Sequence, residues 1–349
     1  HSRKCSFTFQ PRPLLERNFS HLPMNRDKSL DIARALCIIL VVVGHYIPES
    51  APSWYVATNK AIYAFHMPAF MFISGYVYLL SLKKDSYVTF LAKKFKRLLI
   101  PYFVVSTIVI SLKILSQSHM YVQNPVGFEA YLRMFYLPEA GYFLWFIFAL
   151  WWMFVVIGLA RTRKLRTALL CISIILYFLP VRFPDVLCLE QFRKMFVFFM
   201  SGVAIRDYFP MLLEKIQTAT AWLFVCVMTI TEILYLNATS IGQAATLLVA
   251  FAGIAGVICI SRLAERKYAN KCKWLLAVSS GSYVIYLLHT TFMGGAKSIL
   301  AMMSSIEGDG FFAISALVIC ATGVVFPLLL DIFLIRKHKL LRILFGYKA

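Results

Sequence analysis

Charged residues are scarce in this sequence, and acidic residues are the scarcest among them. Only 15% of the 349 residues are Asp, Glu, Lys or Arg, and 16 acidic residues stand against 36 basic ones. Hydrophobic residues make up 60% of the chain, and the mean hydropathy is +0.73. Soluble globular domains carry about 25% charged residues. The composition therefore excludes an ordinary soluble protein and predicts a polytopic membrane protein.

The sequence also lacks the patterns of a metal or nucleic-acid protein. Its eight cysteines form no Cys-x-x-Cys pair, so neither a disulfide framework nor a zinc site is supported. The net charge of +20 comes from short basic bursts between apolar runs. A nucleic-acid surface needs one basic patch with interleaved aromatic residues instead. We therefore expect no bound metal and no nucleic-acid partner. We expect the protein to contact membrane lipid.

Apolar runs of membrane-spanning length recur along the chain. A transmembrane helix needs about 20 predominantly apolar residues. The candidates at 167–180 and 193–206 are short, so they extend at their ends, tilt differently or form a re-entrant pair. The pattern predicts an all-α, polytopic membrane helix bundle of about ten transmembrane helices. The ten candidates lie near residues 32–48, 59–82, 98–118, 141–160, 167–180, 193–206, 218–236, 241–261, 282–303 and 311–334.

Loops rich in Lys and Arg alternate with loops that have few of them, and this alternation predicts the orientation of the chain in the membrane. Basic segments recur at 83–97, 161–166, 206–215, 262–273 and 336–339, and the loops between them are poor in Lys and Arg, with none at 304–310. The positive-inside rule then places both termini in the cytoplasm. We expect a basic N-terminal cytoplasmic segment at 1–25 without the apolar core of a cleavable signal peptide, a membrane domain at 26–336 and a basic cytoplasmic tail at 337–349.

The first predicted span carries a cation and an imidazole inside an apolar run. Arg34 and His45 are eleven residues apart, so they share one helix face and stand roughly 16 Å apart along the axis. Ionisable groups in a membrane helix are costly and by default face other helices or a polar cavity. Asp31, one turn before Arg34, is placed to orient the guanidinium. The spacing predicts an anion-binding end and a proton-transfer end on one helix.

Two further histidines lie in predicted spans. His66 stands two residues before Pro68, and membrane helices tolerate such a proline where neighbouring groups satisfy the freed backbone. The short connection between the first two spans makes them neighbours, so we expect His45 and His66 to line one cavity. The third, His289, ends the run Ser-Tyr-Val-Ile-Tyr-Leu-Leu-His.

These residues resemble those of acyltransferase family 3, the integral-membrane O-acyltransferases of cell-surface glycans. The closest branch is the fucose-4-O-acetylase-like sugar O-acetylases. The resemblance covers about residues 26–290, in which several motifs keep their order and spacing. They are Leu-Asp-Ile-Ala-Arg at 30–34 leading to Gly-His at 44–45, Phe-His-Met-Pro at 65–68 with Ser-Gly-Tyr at 74–76, Lys-Phe-Lys-Arg-Leu-Leu-Ile-Pro-Tyr at 94–102, Phe-Leu-Trp-Phe at 143–146, and the run at 282–289.

The resemblance implies an O-acetyltransferase that uses acetyl-CoA and acts on a sugar hydroxyl of a surface polysaccharide or its lipid-linked precursor. It implies a multi-pass protein of the bacterial inner membrane. The polyanionic end of the donor would meet Arg34, Lys94, Lys96 and Arg97. Many members have arginine where Lys94 stands, so this position offers a point charge instead of a planar fork.

The catalytic residues expected on this basis are His45, Arg34, Asp31 and His66. His45 can act as a general base toward the sugar hydroxyl or as a nucleophile that accepts the acetyl group. Each residue also has a structural alternative. Arg34 and His45 can anchor helix ends, His66 can satisfy carbonyls freed by Pro68, and the basic loop can serve topology alone.

Two other classes of function fit parts of the pattern. A transporter or flippase of a glycan or small anionic solute also combines many spans with buried charge. A membrane sensor or scaffold fits less well, because it does not need histidines around a cavity. Only the enzyme consumes acetyl-CoA and releases free thiol.

Overall fold

The structure is a computed structural model that describes residues 27–49, 51–80, 85–118, 122, 124–238, 240–268, 273–303 and 308–347. Within these ranges the chain is helical and forms no β-strand. The predicted segment at 1–25 and the lysines at 83 and 84 lie outside the described residues. The helices are α1 (Lys28–His45), α2 (Ser53–Leu80), α3 (Tyr87–Ser116), α4 (Ala130–Arg133), α5 (Trp145–Leu159), α6 (Arg163–Phe178), α7 (Leu189–Tyr208), α8 (Thr218–Asn237), α9 (Gln243–Tyr268), α10 (Lys273–Met303), α11 (Asp309–Leu330) and α12 (Lys339–Leu344).

The all-α polytopic prediction is confirmed, and each of the ten predicted spans coincides with a long helix. Seven helical segments of the described chain are long and apolar enough to cross a membrane. The other three long helices are α1 and α7, which carry several charged residues, and α6, which has 16 residues. Helix α7 is longer than predicted, because it extends beyond 193–206 at both ends. The number of crossings and the side of each terminus remain predictions.

Helix α1 lies inside the bundle. It packs against α2, α9, α10 and α11, and Ala33, Ala35, Ile38 and Val41 are completely buried. At the start of α1, Asp27 accepts a hydrogen bond from the backbone N–H of Ser29 at 3.0 Å. Asp27 also forms an ion pair with Arg262 of α9 at 2.7 Å. Surrounding helices thus shield the charges of α1 from lipid, which explains how this helix can carry them.

Two glycines bring α2 and α7 into backbone contact. A Cβ atom at Gly75 would lie 2.0 Å from the carbonyl oxygen of Phe199, and one at Gly202 would lie 2.0 Å from that of Phe72. Small residues allow this approach between membrane helices. The contact fixes α2, which carries His66 and one wall of the cavity described below.

Candidate active site

The end of the candidate site near the start of α1 is organised around Asp31. Its Oδ1 lies 3.5 Å from a guanidinium nitrogen of Arg34, which confirms the contact predicted from their spacing. The same oxygen accepts a hydrogen bond from Ser279 Oγ of α10 at 3.2 Å. Asp31 is only 6% exposed. The Asp31 carboxylate therefore links Arg34 to Ser279 of α10 and orients the guanidinium group.

A cavity of about 410 Å³ opens beside Arg34. Its walls come from α1, α2, α3, α5 and α10, and Arg34, Lys94 and Arg97 all line it. The Lys94 ammonium lies 3.8 Å from the ring centroid of Phe154, so its charge is held by an aromatic face. Arg97 is exposed at the rim and forms no hydrogen bond or ion pair with the described part of the chain. Three of the four predicted donor-binding cations therefore meet at one cavity.

Lys96, the fourth predicted cation, does not line this cavity. Its side chain is exposed on α3. On a helix, neighbouring residues point in directions that differ by about 100°, so Lys94 and Arg97 share a face that Lys96 leaves. Lys93 also turns away and pairs with Asp85 at 2.8 Å.

Hydroxyl groups line the wall contributed by α10. Ser279, Ser280 and Ser282 surround Gly281 at the cavity, and Tyr283 donates a hydrogen bond to the Leu98 carbonyl at 2.6 Å. None of the three serines was among the predicted site residues. The signal was present, since Ser-Ser-Gly-Ser in an otherwise apolar span predicts a polar helix face. These hydroxyls suit a ligand with polar groups along its length.

Aromatic side chains close the far end of the cavity. Phe146 and Tyr286 line it with ring centroids 5.4 Å apart. The Tyr286 hydroxyl donates a hydrogen bond to the carbonyl oxygen of Phe143, which precedes α5. Phe143 packs edge-on against Tyr286, with centroids 5.9 Å apart. Phe143 therefore packs behind Tyr286, which forms the cavity wall.

His45 lies beyond this aromatic barrier. Its ring centroid is 5.6 Å from that of Phe143 and 4.9 Å from that of His289 on α10. Phe143 also contacts His289, at 5.0 Å. The sequence did not predict the His45–His289 contact, because it depends on how α10 packs against α1. Tyr286 in the cavity wall also contacts His289, with ring centroids 6.2 Å apart, so the imidazole pair lies behind two aromatic rings, Phe143 and Tyr286.

Each of the three histidines bonds to its own helix in the same way. Nδ1 of His45 lies 2.7 Å from the carbonyl oxygen of Val41, and Nδ1 of His66 lies 2.7 Å from that of Ile62. In His289, Nδ1 lies 2.8 Å from the Tyr286 carbonyl. A carbonyl oxygen only accepts, so Nδ1 carries the proton in each ring. The opposite nitrogen, Nε2, therefore keeps a lone pair that can accept a proton or attack a carbonyl carbon.

Among the ring contacts of the described residues, Tyr63 connects His66 to His45. The Tyr63 ring centroid is 5.0 Å from that of His66 and 6.3 Å from that of His45. Nε2 of His66 and Nε2 of His289 are both buried without a hydrogen-bond partner. Buried polar atoms normally have a partner, so these two nitrogens are available to hydroxyl donors. Across the described residues, no group of three or more His, Cys, Asp or Glu side chains is placed to hold a metal ion.

Comparisons with known proteins bear on this arrangement. A family model described as an acyltransferase domain, of acyltransferase family 3, matches residues 27–331. The nodulation protein NolL of Sinorhizobium fredii is 30% identical over 185 residues, which cover 51% of this chain and 48% of that protein. NolL of Mesorhizobium japonicum is 34% identical over 94 residues, covering 26% of this chain and 25% of that protein. The chain thus aligns with about half or less of the length of these curated relatives. No solved structure matches it.

Proposed function

The chain belongs to acyltransferase family 3 and is a membrane O-acyltransferase, and from this premise we propose that it transfers acetyl from acetyl-CoA to a sugar hydroxyl. The acceptor is a cell-surface polysaccharide or its lipid-linked precursor, and the enzyme is a multi-pass protein of the bacterial inner membrane. Family membership assigns the chain to a class of enzymes, and it therefore favours acyl transfer over transport.

One observation supports the proposal most strongly. Helix α1 carries Arg34 at a cationic cavity and His45 beside a second imidazole, roughly 16 Å further along the axis. A donor with phosphates at one end and a thioester at the other suits this layout. Arg34, Lys94 and Arg97 would bind the phosphates, because guanidinium and ammonium groups form charge-assisted hydrogen bonds with them. The narrow arm of the donor would lie along the serines of α10.

The thioester must pass the aromatic wall formed by Phe143 and Tyr286 to reach His45. Both rings contact the imidazole pair, and Tyr286 also lines the cavity. Phe143 belongs to a single 3-10 turn, Tyr142–Leu144, and not to a long helix. A rotation of this side chain joins the two compartments, and a closed ring keeps water from the thioester while no acceptor is present.

His45 then supplies the chemistry in one of two ways. As general base, Nε2 takes the proton of the sugar hydroxyl while the oxygen attacks the thioester carbonyl carbon. The carbon–sulfur bond breaks, and the proton passes from the imidazole to the thiolate. As nucleophile, Nε2 attacks the carbonyl carbon and releases the thiolate. The sugar oxygen then displaces the imidazole from the acetyl group, and the proton of the sugar hydroxyl passes to the thiolate. Both routes give a sugar ester and free CoA thiol.

The test compares two histidine variants, His45→Ala and His338→Ala. His338 is exposed near the C-terminal end and lies outside the site, so it serves as the matched control. Proteoliposomes receive acetyl-CoA and surface glycan from cells that lack the gene. We expect free thiol and a one-acetyl mass increase of the glycan with wild type and His338→Ala. His45→Ala should lower both by about a hundredfold or more.

Two results would contradict the proposal. Normal glycan acetylation by a stably inserted His45→Ala protein would remove His45 from the reaction. An unchanged glycan mass with acetyl-CoA, together with acylation when a longer acyl-CoA is supplied in a parallel sample, would keep the enzyme class and reject acetyl-CoA as the donor.

A further inference from the structure

A second and larger cavity lies away from the candidate active site. It encloses about 930 Å³ between α7, α8 and α9, with Phe72 of α2 and Leu170 of α6 completing the wall. Apolar side chains dominate its lining. Among the residues that the structure describes, Lys215, in the connection between α7 and α8, is the one charged residue that lines it. Neither the proposed reaction nor its donor uses this space.

The cavity is open at its edge and lies beside α8, a helix whose surface faces the membrane along most of its length. Only 11% of the α8 span is buried, and Phe224 on its rim is 40% exposed. Along α9 the lining runs from Phe251 to Cys259, eight residues or about 12 Å. The hydrocarbon core of a bilayer is about 30 Å thick, so the cavity depth is close to that of one leaflet. An open apolar space at this depth is accessible to lipid chains.

Cations without carboxylate partners surround the mouth of the cavity. The Lys215 ammonium has no partner in the described part of the chain. Arg206 binds only neutral oxygens, donating to the Pro210 carbonyl at 2.9 Å and to the Tyr76 hydroxyl at 3.3 Å. The mouth therefore carries positive charge that these groups leave unneutralised.

Arg266 and the nearby acidic residues complete this picture. Arg266 donates to Thr218 Oγ1 at 3.0 Å and to the Ile216 carbonyl, again without a carboxylate. Asp207 is already bound by Arg166, at 2.5 and 2.8 Å. Glu214 forms no ion pair with the described residues. A ligand that fits must therefore combine an anionic head with an apolar chain.

We propose that this cavity binds one acyl chain of an anionic phospholipid from the cytoplasmic leaflet, with the phosphate at Lys215. The leaflet follows from the basic loop at 206–215, which the positive-inside rule places in the cytoplasm. That leaflet carries the anionic lipids of the membrane surface. A free phosphate would leave the apolar volume empty, and a neutral lipid would leave the cations unpaired. The bound lipid is structural and is not consumed.

The experiment uses the full-length protein in nanodiscs and a phosphatidylglycerol probe with a diazirine near the end of one acyl chain. Light-induced labelling is mapped by mass spectrometry, beside the same probe with a choline headgroup. We expect labels on the α9 segment from Phe251 to Cys259 in wild type. Ala255→Trp fills the cavity and should abolish them. Lys215→Gln should weaken the preference for phosphatidylglycerol over phosphatidylcholine about fivefold.

Lys164→Gln is the matched control, because Lys164 is exposed near the same predicted membrane surface and does not line the cavity. It should label like wild type. If Ala255→Trp fails to fold, Ala204→Phe fills the same space from α7. Equal labelling by both headgroups, or labelling that survives a folded cavity-filling variant, would overturn the proposal. So would an isoprenoid phosphate as the co-purifying lipid. None of these results depends on acyl transfer by His45.

Discussion

The reactivity of the histidines is set by which nitrogen each helix binds. Val41 holds Nδ1 of His45, and Tyr286 holds Nδ1 of His289. Both rings therefore present Nε2, and their centroids are 4.9 Å apart. A hydroxyl placed between them meets two acceptors and has one proton to give. This arrangement favours proton removal from an acceptor alcohol.

His289 should therefore contribute more to acyl transfer than His66 does. The variants His289→Phe and His66→Phe keep a ring in each place but remove Nε2. We expect His289→Phe to lower kcat about tenfold or more, because its ring contacts His45 directly. His66→Phe should cost less, since Tyr63 connects His66 to His45 among the ring contacts of the described residues. The rates are measured as thiol release in proteoliposomes at saturating acetyl-CoA.

The opposite order of effects would reassign the second imidazole to His66. Insertion and thermal unfolding are compared for both variants, because a packing defect lowers the amount of folded protein without changing kcat per active enzyme.

A substitution of Arg34 tests whether the other end of α1 binds the donor. Arg34→Lys keeps the positive charge but loses the planar fork that binds two phosphate oxygens at once. We expect the KM for acetyl-CoA to rise about tenfold, the loss of roughly one charge-assisted hydrogen bond. The kcat should change little, since His45 is untouched. Lys93→Arg is a suitable control, because Lys93 is bound to Asp85 away from the cavity. An unchanged KM in Arg34→Lys would separate Arg34 from donor binding.

The sequence predicted the residues that one helix fixes. Arg34, Asp31 and His45 share α1, so helix geometry alone gave their spacing and the Asp31–Arg34 contact. It did not predict Phe143 or His289 beside His45, because those contacts join α1 to distant parts of the chain. The neighbours of His45 depend on tertiary packing, which local periodicity does not encode.

At the scale of whole elements, hydropathy predicted where helices lie better than where they end. All ten predicted spans became helices, because long apolar runs have no stable alternative in a bilayer. Their ends differ, because α3 begins at Tyr87 and α10 at Lys273, well before the predicted spans at 98–118 and 282–303. In α7, the helix begins before the apolar run and includes Glu190. Glu190 and Arg193 form a buried ion pair at 2.7 Å. Arg193 also donates to three carbonyls at the end of α6. An average of hydropathy over a window of residues does not detect such paired charges.

The crossing of α2 and α7 makes a prediction at this scale. Gly202→Ala places a Cβ atom against the Phe72 carbonyl, where a built atom lies at 2.0 Å. Backbone must move to relieve the overlap, so we expect a loss of about 1–3 kcal/mol in unfolding free energy. Thermal unfolding in detergent measures it. Gly294→Ala is the control, because that helical glycine has nothing within 4 Å. Equal melting temperatures for Gly202→Ala and wild type would show that the two helices are packed more loosely.

At the scale of the whole molecule, the charges of the loops predict the orientation of the protein in the membrane. Residues 85–97 include Lys93, Lys94, Lys96 and Arg97 against one acidic residue, Asp85. This segment is expected in the cytoplasm. His45, at the far end of α1, then lies in the outer half of the bilayer, within reach of an acceptor on the far side. Acetyl would cross the membrane while its carrier stays inside.

Cysteine labelling in intact cells measures this orientation. Ser53→Cys and Ser86→Cys are introduced separately on a cysteine-free background, at positions that are both exposed. An impermeant maleimide should label position 53 and leave position 86 unlabelled. Permeabilised cells, in which both positions should react, provide the control. Labelling at 86 without labelling at 53 would invert the topology and remove the basic segment as the entry point of a cytosolic donor.

The glycine contact between α2 and α7 also limits how the protein can move. Backbone atoms touch there, so neither helix has a compressible side-chain layer on which to slide or rotate. The pair should behave as one rigid body during turnover. Opening of the active-site cavity then has to come from the opposite wall, where α3 is much less buried than α2. The slow hinge of the catalytic cycle is therefore expected at α3, and spectroscopic labels on α2 and α7 should keep a constant separation while the enzyme works.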